Sequence, residues 1–87
     1  MDTVWIRTHK DVLIRANSVM ILESQPNGLY AECITGSRVQ ITQGACSMAS
    51  QLTLLEEIYL ARADESHAVV ITPTWEQGLV IWHRETF

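Results

Sequence analysis

The stretch ACSMASQLTLLEEIYLARAD, residues 45–64, decides the fold by what it lacks. The chain holds 23 Val, Ile and Thr residues. Only Thr53 and Ile58 fall inside this window, where an even spread puts about five. Branching at Cβ stiffens χ1 and favours strands over helices, so the window is the one helix of a strand-rich chain. Met48, Leu52, Leu55, Tyr59 and Arg62 recur at spacings of 4, 3, 4 and 3, which sets them on one stripe. Leu54, Ile58 and Ala61 widen it, and the stripe is expected to face the core. Ser47 suits the N-cap. Thr53-Leu54-Leu55-Glu56 is a Thr-x-x-Glu capping box that offers a later start, but Met48, Ala49 and Leu52 fit the stripe and favour the longer helix. Arg62 then meets the negative C-terminal end, and Asp64-Glu65-Ser66 closes the element.

Outward from the helix, period-2 alternation marks strands over 3–8, 12–16, 19–23, 29–34 and 38–42 before it, and 68–72 and 79–84 after it. His9-Lys10-Asp11, Gln25-Pro26-Asn27-Gly28, Thr35-Gly36-Ser37 and Trp75-Glu76-Gln77-Gly78 are turn signals between them. Pro73 is expected to stop the sixth strand. The order βββββ-α-ββ predicts an α+β fold: an antiparallel meander of about five strands, one amphipathic helix on one sheet face, then two further strands. The strand at 19–23 is apolar on both faces and is expected to be central or covered. One helix covers only one sheet face, so the other needs a cover of its own.

Eighty-seven residues make room for a single core. The longest uninterrupted apolar run is four residues, far below the roughly 20 that span a bilayer, so no membrane span is expected. Met1-Asp2-Thr3-Val4-Trp5 lacks the basic region and long apolar stretch of a secretory leader. Cys33 and Cys46 form no metal-finger spacing and are not expected to pair. A reducing cytoplasm is the expected location. Six Lys and Arg against ten Asp and Glu give a net charge of −4. The basic residues are scattered singly, which disfavours a nucleic-acid partner; the alternative that keeps one gathers Arg7, Arg15 and Arg38 on one sheet face.

His9, His67 and His83 show no ligand spacing among themselves or with Cys, Asp or Glu, and no metal or cofactor is expected. No serine sits in a nucleophile elbow and no glycine cluster precedes the helix, so an enzyme is not expected. A second alternative, a small-molecule sensor or enzyme, needs a pocket between helix and sheet. The aromatic residues say more. Trp5, Tyr30, Trp75 and Trp82 either cover the second sheet face within the monomer or form an exposed patch for a partner, since Trp, Tyr and Arg are enriched at interface hot spots.

Residues 13–23, 28–33 and 36–42 resemble the strand–hairpin–strand core of small bacterial regulatory β-domains, such as the LytTR DNA-binding domain and FlbD-type flagellar proteins. The resemblance implies a local topology. It carries over no DNA-contacting residue, because His67-Ala68-Val69 stands where the LytTR pattern has a basic segment after its helix. The resulting expectation is a small non-catalytic protein-interaction domain, self-associating through an apolar sheet face or a sheet edge, either the first strand or 79–84.

Overall fold

A computed structural model describes residues 3–63 and 67–87. The order is β1 (Val4–Arg7), β2 (Leu13–Arg15), a single 3₁₀ turn (Ala16–Ser18), β3 (Val19–Gln25), β4 (Gly28–Cys33), β5 (Arg38–Gln40), α1 (Met48–Arg62), β6 (Val69–Glu76) and β7 (Leu79–Thr86). All seven expected strands and the longer helix form, and the class is α+β. Ser47 caps α1: its backbone is extended and its hydroxyl accepts from the Ser50 amide at 3.1 Å. The expected stop at Asp64-Glu65-Ser66 lies outside the described residues.

The single meander is corrected. The strands divide into a four-stranded sheet ordered β2-β1-β6-β7 and a three-stranded sheet ordered β3-β4-β5, so β7 is an edge as expected, whereas the first strand, flanked by β2 and β6, is not. Within the first, β1 and β6 run parallel, paired from Val4↔Val69 to Ile6↔Ile71; every other pairing is antiparallel. The 3₁₀ turn separates β2 from β3 and sends them to different sheets. Alternation fixes which residues share a face, but not which distant strand lies alongside. The long connection through β5 and α1 permits the parallel partner that no short turn could supply.

One cluster fills the interior. Val4 and Ile6 of β1, Val69 and Ile71 of β6, and Val80 and Trp82 of β7 form one face of the larger sheet. Leu29, Ala31 and Ile41 reach the cluster from the smaller sheet and its exit, and Leu54, Ile58 and Ala61 from α1. Two ties lock the helix to β7. The Trp82 indole Nε1 donates to the Ser50 carbonyl at 2.8 Å, and the Ser50 hydroxyl donates to the Val80 carbonyl at 3.1 Å. Both polar side chains are buried with partners made, as burial requires.

Pro73 does not end β6, which runs on to Glu76. β1 leaves β6 after Ile71, so on that side Pro73 displaces no ladder hydrogen bond. The turn that follows is tighter than four residues: Gln77 and Gly78 both hold positive φ, 52° and 79°, as a two-residue hairpin needs.

Gly28 is required by space. A Cβ there would lie 2.2 Å from the Thr42 carbonyl oxygen and 2.6 Å from Gln40 Nε2. Thr42 cannot retreat freely, because its hydroxyl accepts from the Leu29 amide and donates to the Gly44 carbonyl. Gly28→Ala is therefore expected to lower unfolding stability by about 2–3 kcal/mol. Urea denaturation reads this directly; an unchanged midpoint would show that the two chain segments are not in contact.

Candidate functional site

The helix carries two apolar stripes: Leu54, Ile58 and Ala61, expected to widen the inward face, do lie inward, but the 4-3-4 stripe they were to widen does not. Ser50, Leu54, Ile58 and Ala61, at spacings of 4, 4 and 3, face the core. Ser50 and Ala61 are small, so both ends of α1 can lie close to the sheet. The stripe with the regular 4-3-4 spacing points outward: Met48 is 67% exposed, Leu52 57%, Leu55 51% and Tyr59 76%. At about 100° per residue the two stripes stand roughly 130° apart. The expectation that Met48, Leu52, Leu55 and Tyr59 pack inward is thus corrected.

Beside this stripe runs a groove of about 350 Å³ between α1 and β3. Leu55, Ile58 and Arg62 form one wall and Val19, Met20 and Leu22 the other, over Ile6 and Ala16. Met20 is 67% exposed because the ladder slips between Val19 and Ile21, a bulge that takes it out of the regular alternation. The expectation that this strand is central or covered is corrected: β3 is an edge strand paired only with β4, Ile21 is exposed as well as Met20, and only Val19 and Leu22 pack, partly buried, against the core.

The four rings picked from the sequence do not gather into one patch. Trp82 lies in the core at 5% exposure, so its place among candidate interface residues is corrected. Trp5 is half-buried on the outer face of the larger sheet, with the Arg15 guanidinium 5.3 Å from its ring centre. Tyr30 lies on the outer face of the smaller sheet under Arg38, at 4.7 Å, and its hydroxyl accepts from Asn27 Nδ2 at 2.8 Å. Trp75 is half-exposed and rests against Gly44, where a Cβ would meet its ring at 2.7 Å.

The arginines of the nucleic-acid alternative separate likewise. Arg7 and Arg15 share the outer face of the larger sheet, since Trp5 pairs Arg15 and Arg7 pairs Leu13. Arg38 belongs to the other sheet. Arg7 is ion-paired with Asp11 at 2.6 Å and Arg38 with Glu23 at 2.8 Å. Hydrogen bonds from Gln25 and Arg38, with the Arg38 charge, hold the Glu23 carboxyl below its ordinary range. Two of the three cations are thus paired with a carboxylate, while Arg15 lies over the Trp5 ring.

Cys33 and Cys46 are both buried and free. Burial pushes the Cys46 thiol up, against a smaller opposite pull from Ser50, so it stays protonated at neutral pH. Among the described residues, no group of three or more His, Cys, Asp or Glu is placed to hold a metal ion, and no helix is long and apolar enough to cross a membrane. The outward stripe was missed because a 4-3-4 spacing looks the same whichever way it faces. The signal that separates the two stripes is residue size, small residues marking the side pressed against the sheet. No protein-family model, curated protein or solved structure matches the chain.

Proposed function

We propose that this chain is a non-catalytic protein-interaction domain that self-associates through the outward face of α1 and the adjoining edge of β3. The exposed stripe Met48, Leu52, Leu55 and Tyr59 carries the reading. A surface helix ordinarily turns its polar side to water; here a second apolar seam occupies it. Spacings of 4, 3 and 4 are those of the a and d positions through which paired helices interlock. A second copy presenting the same stripe across a two-fold axis is therefore a self-complementary cover.

The area agrees with a modest dimer. Met20, Met48, Leu52, Leu55 and Tyr59 together expose on the order of 600 Å². A symmetric pair then hides about 1,200 Å², the lower end of specific interfaces. Each copy carries a net charge of −4, so the copies repel weakly at low ionic strength. Association is expected to tighten as salt is added, the opposite of a complex held by phosphate contacts. Sedimentation equilibrium tests this: the mass is expected to rise from 9.8 kDa toward twice that value over micromolar concentrations, and more readily in salt. A mass of 9.8 kDa held into the millimolar range would overturn the reading.

A further inference from the structure

We infer that Asn27 is a site of covalent self-modification, deamidation through a cyclic imide, whose rate is set by Tyr30 and Gln40. Asn27 is exposed at the turn between β3 and β4, and Gly28 follows it. A glycine has no Cβ to shield its amide, so the nitrogen can approach the preceding side chain closely. The fold cannot relieve this by changing Gly28, because a Cβ there would lie 2.2 Å from the Thr42 carbonyl oxygen. The labile pair is therefore built into a position that packing reserves for glycine.

The reaction needs only water. The Gly28 nitrogen, having given its proton to hydroxide, attacks Asn27 Cγ. The new N–Cγ bond forms, the Cγ–Nδ2 bond breaks, and Nδ2 leaves as ammonia with a proton taken from water. Water then opens the imide at either carbonyl and leaves an aspartyl or an isoaspartyl residue, which adds a negative charge. The isoaspartyl product runs its main chain through Cβ and is one methylene longer. It arises at a turn where the Thr42 backbone leaves Gly28 no room to shift toward it.

Ring closure requires two torsions of Asn27 to turn, the one that swings Cγ and the one that rotates the peptide to Gly28. Each is tied by a hydrogen bond. Asn27 Nδ2 donates to the Tyr30 hydroxyl at 2.8 Å, which fixes the side chain. Gln40 Nε2 donates to the Asn27 carbonyl at 3.0 Å, which fixes the peptide. The two holding residues are direct cross-strand partners on β4 and β5. Both are fixed in turn: Arg38 lies over the Tyr30 ring at 4.7 Å, and Gln40 Nε2 also donates to the Thr42 carbonyl at 2.9 Å. Tyr30 and Gln40 are thus positioning residues that slow the reaction.

The test incubates the full chain at mildly alkaline pH, native and in urea, and follows Asn27 by peptide mass spectrometry. Asn17, which precedes Ser18, is the internal reference. In urea Asn27 is expected to convert faster than Asn17, giving both aspartyl and isoaspartyl peptides. In the native chain Asn27 is expected to convert at least about tenfold more slowly than in urea, with two hydrogen bonds to break first. Tyr30→Phe, which keeps the ring under Arg38, and Gln40→Leu are each expected to speed native conversion roughly fivefold, with Asn17 unchanged. The inference is overturned if Asn27 is no faster than Asn17 in urea, or if the aspartyl peptide appears alone. It is equally overturned if native and unfolded rates agree, if both variants keep the wild-type rate, or if Asn17 speeds in step with Asn27. None of these outcomes bears on the helix seam, since Asn27, Tyr30 and Gln40 lie outside it.

Discussion

Leu55→Glu is expected to leave the chain monomeric at concentrations where the wild type pairs, while the fold persists. Leu55 sits near the middle of the outward stripe and walls the groove beside Met20, half-exposed in the single chain. Glu has nearly the helix propensity of Leu, so the substitution costs α1 little by itself. Across a two-fold axis the change is made twice, and it brings like charges together in an apolar seam. With about 2 kcal/mol lost at each central position, the dissociation constant rises roughly a thousandfold. Sedimentation equilibrium measures this against the wild type, and circular dichroism confirms that the helix remains. Unchanged association would place the contact somewhere other than α1.

Leu54→Ala and Leu55→Ala, one residue apart, are expected to differ sharply in stability. Leu54 is fully buried between the helix and the sheet, and removing its branched end leaves a cavity that neighbouring side chains fill only in part. A loss of about 3–4 kcal/mol is expected, which moves the melting temperature down by roughly 15 °C or more in a domain of this size. Leu55→Ala removes a half-exposed side chain and installs the best helix former, so its cost is expected within about 0.5 kcal/mol. Both are measured by thermal and urea unfolding at concentrations where the chain is monomeric, because association itself stabilises the folded state. Equal losses at the two positions would mean that α1 is rotated from the orientation described.

The contrast between these neighbours shows how far the fold is legible in the sequence. The scarcity of branched residues over 45–64 locates the helix, Ser47 sets its start, and alternation finds every strand. Each of these is a local property, carried by residues close in sequence. The orientation of α1 is not local. Met48, Leu52, Leu55 and Tyr59 make a more regular stripe than Ser50, Leu54, Ile58 and Ala61, yet the sheet receives the second. What decides it is close packing: Ser50 is short enough to hydrogen-bond the β7 backbone, and Ala61 small enough to be fully buried in the core cluster.

Strand partnership is non-local for the same reason. Val69-Val70-Ile71 reads as a buried strand, but nothing within it names Val4-Trp5-Ile6 as its parallel neighbour. The rings suffered from a related ambiguity. Alternation places Trp82 opposite Ile81, and the helix lies on the Trp82 side, making it a core residue tied to Ser50. Trp5 and Tyr30 are instead covered in part by Arg15 and Arg38, a local answer to exposed aromatic surface.

The central claim is that the outward stripe of α1 is covered by a second copy of the chain. An isotope-filtered NOE experiment on an equal mixture of labelled and unlabelled chains tests it most directly. The account predicts intermolecular contacts among the side chains of Met48, Leu52, Leu55 and Tyr59, reaching Met20, with none to Leu54 or Ile58. Intermolecular contacts confined to β7 or to the outer faces of the sheets, or none at concentrations where the mass is dimeric, would contradict it.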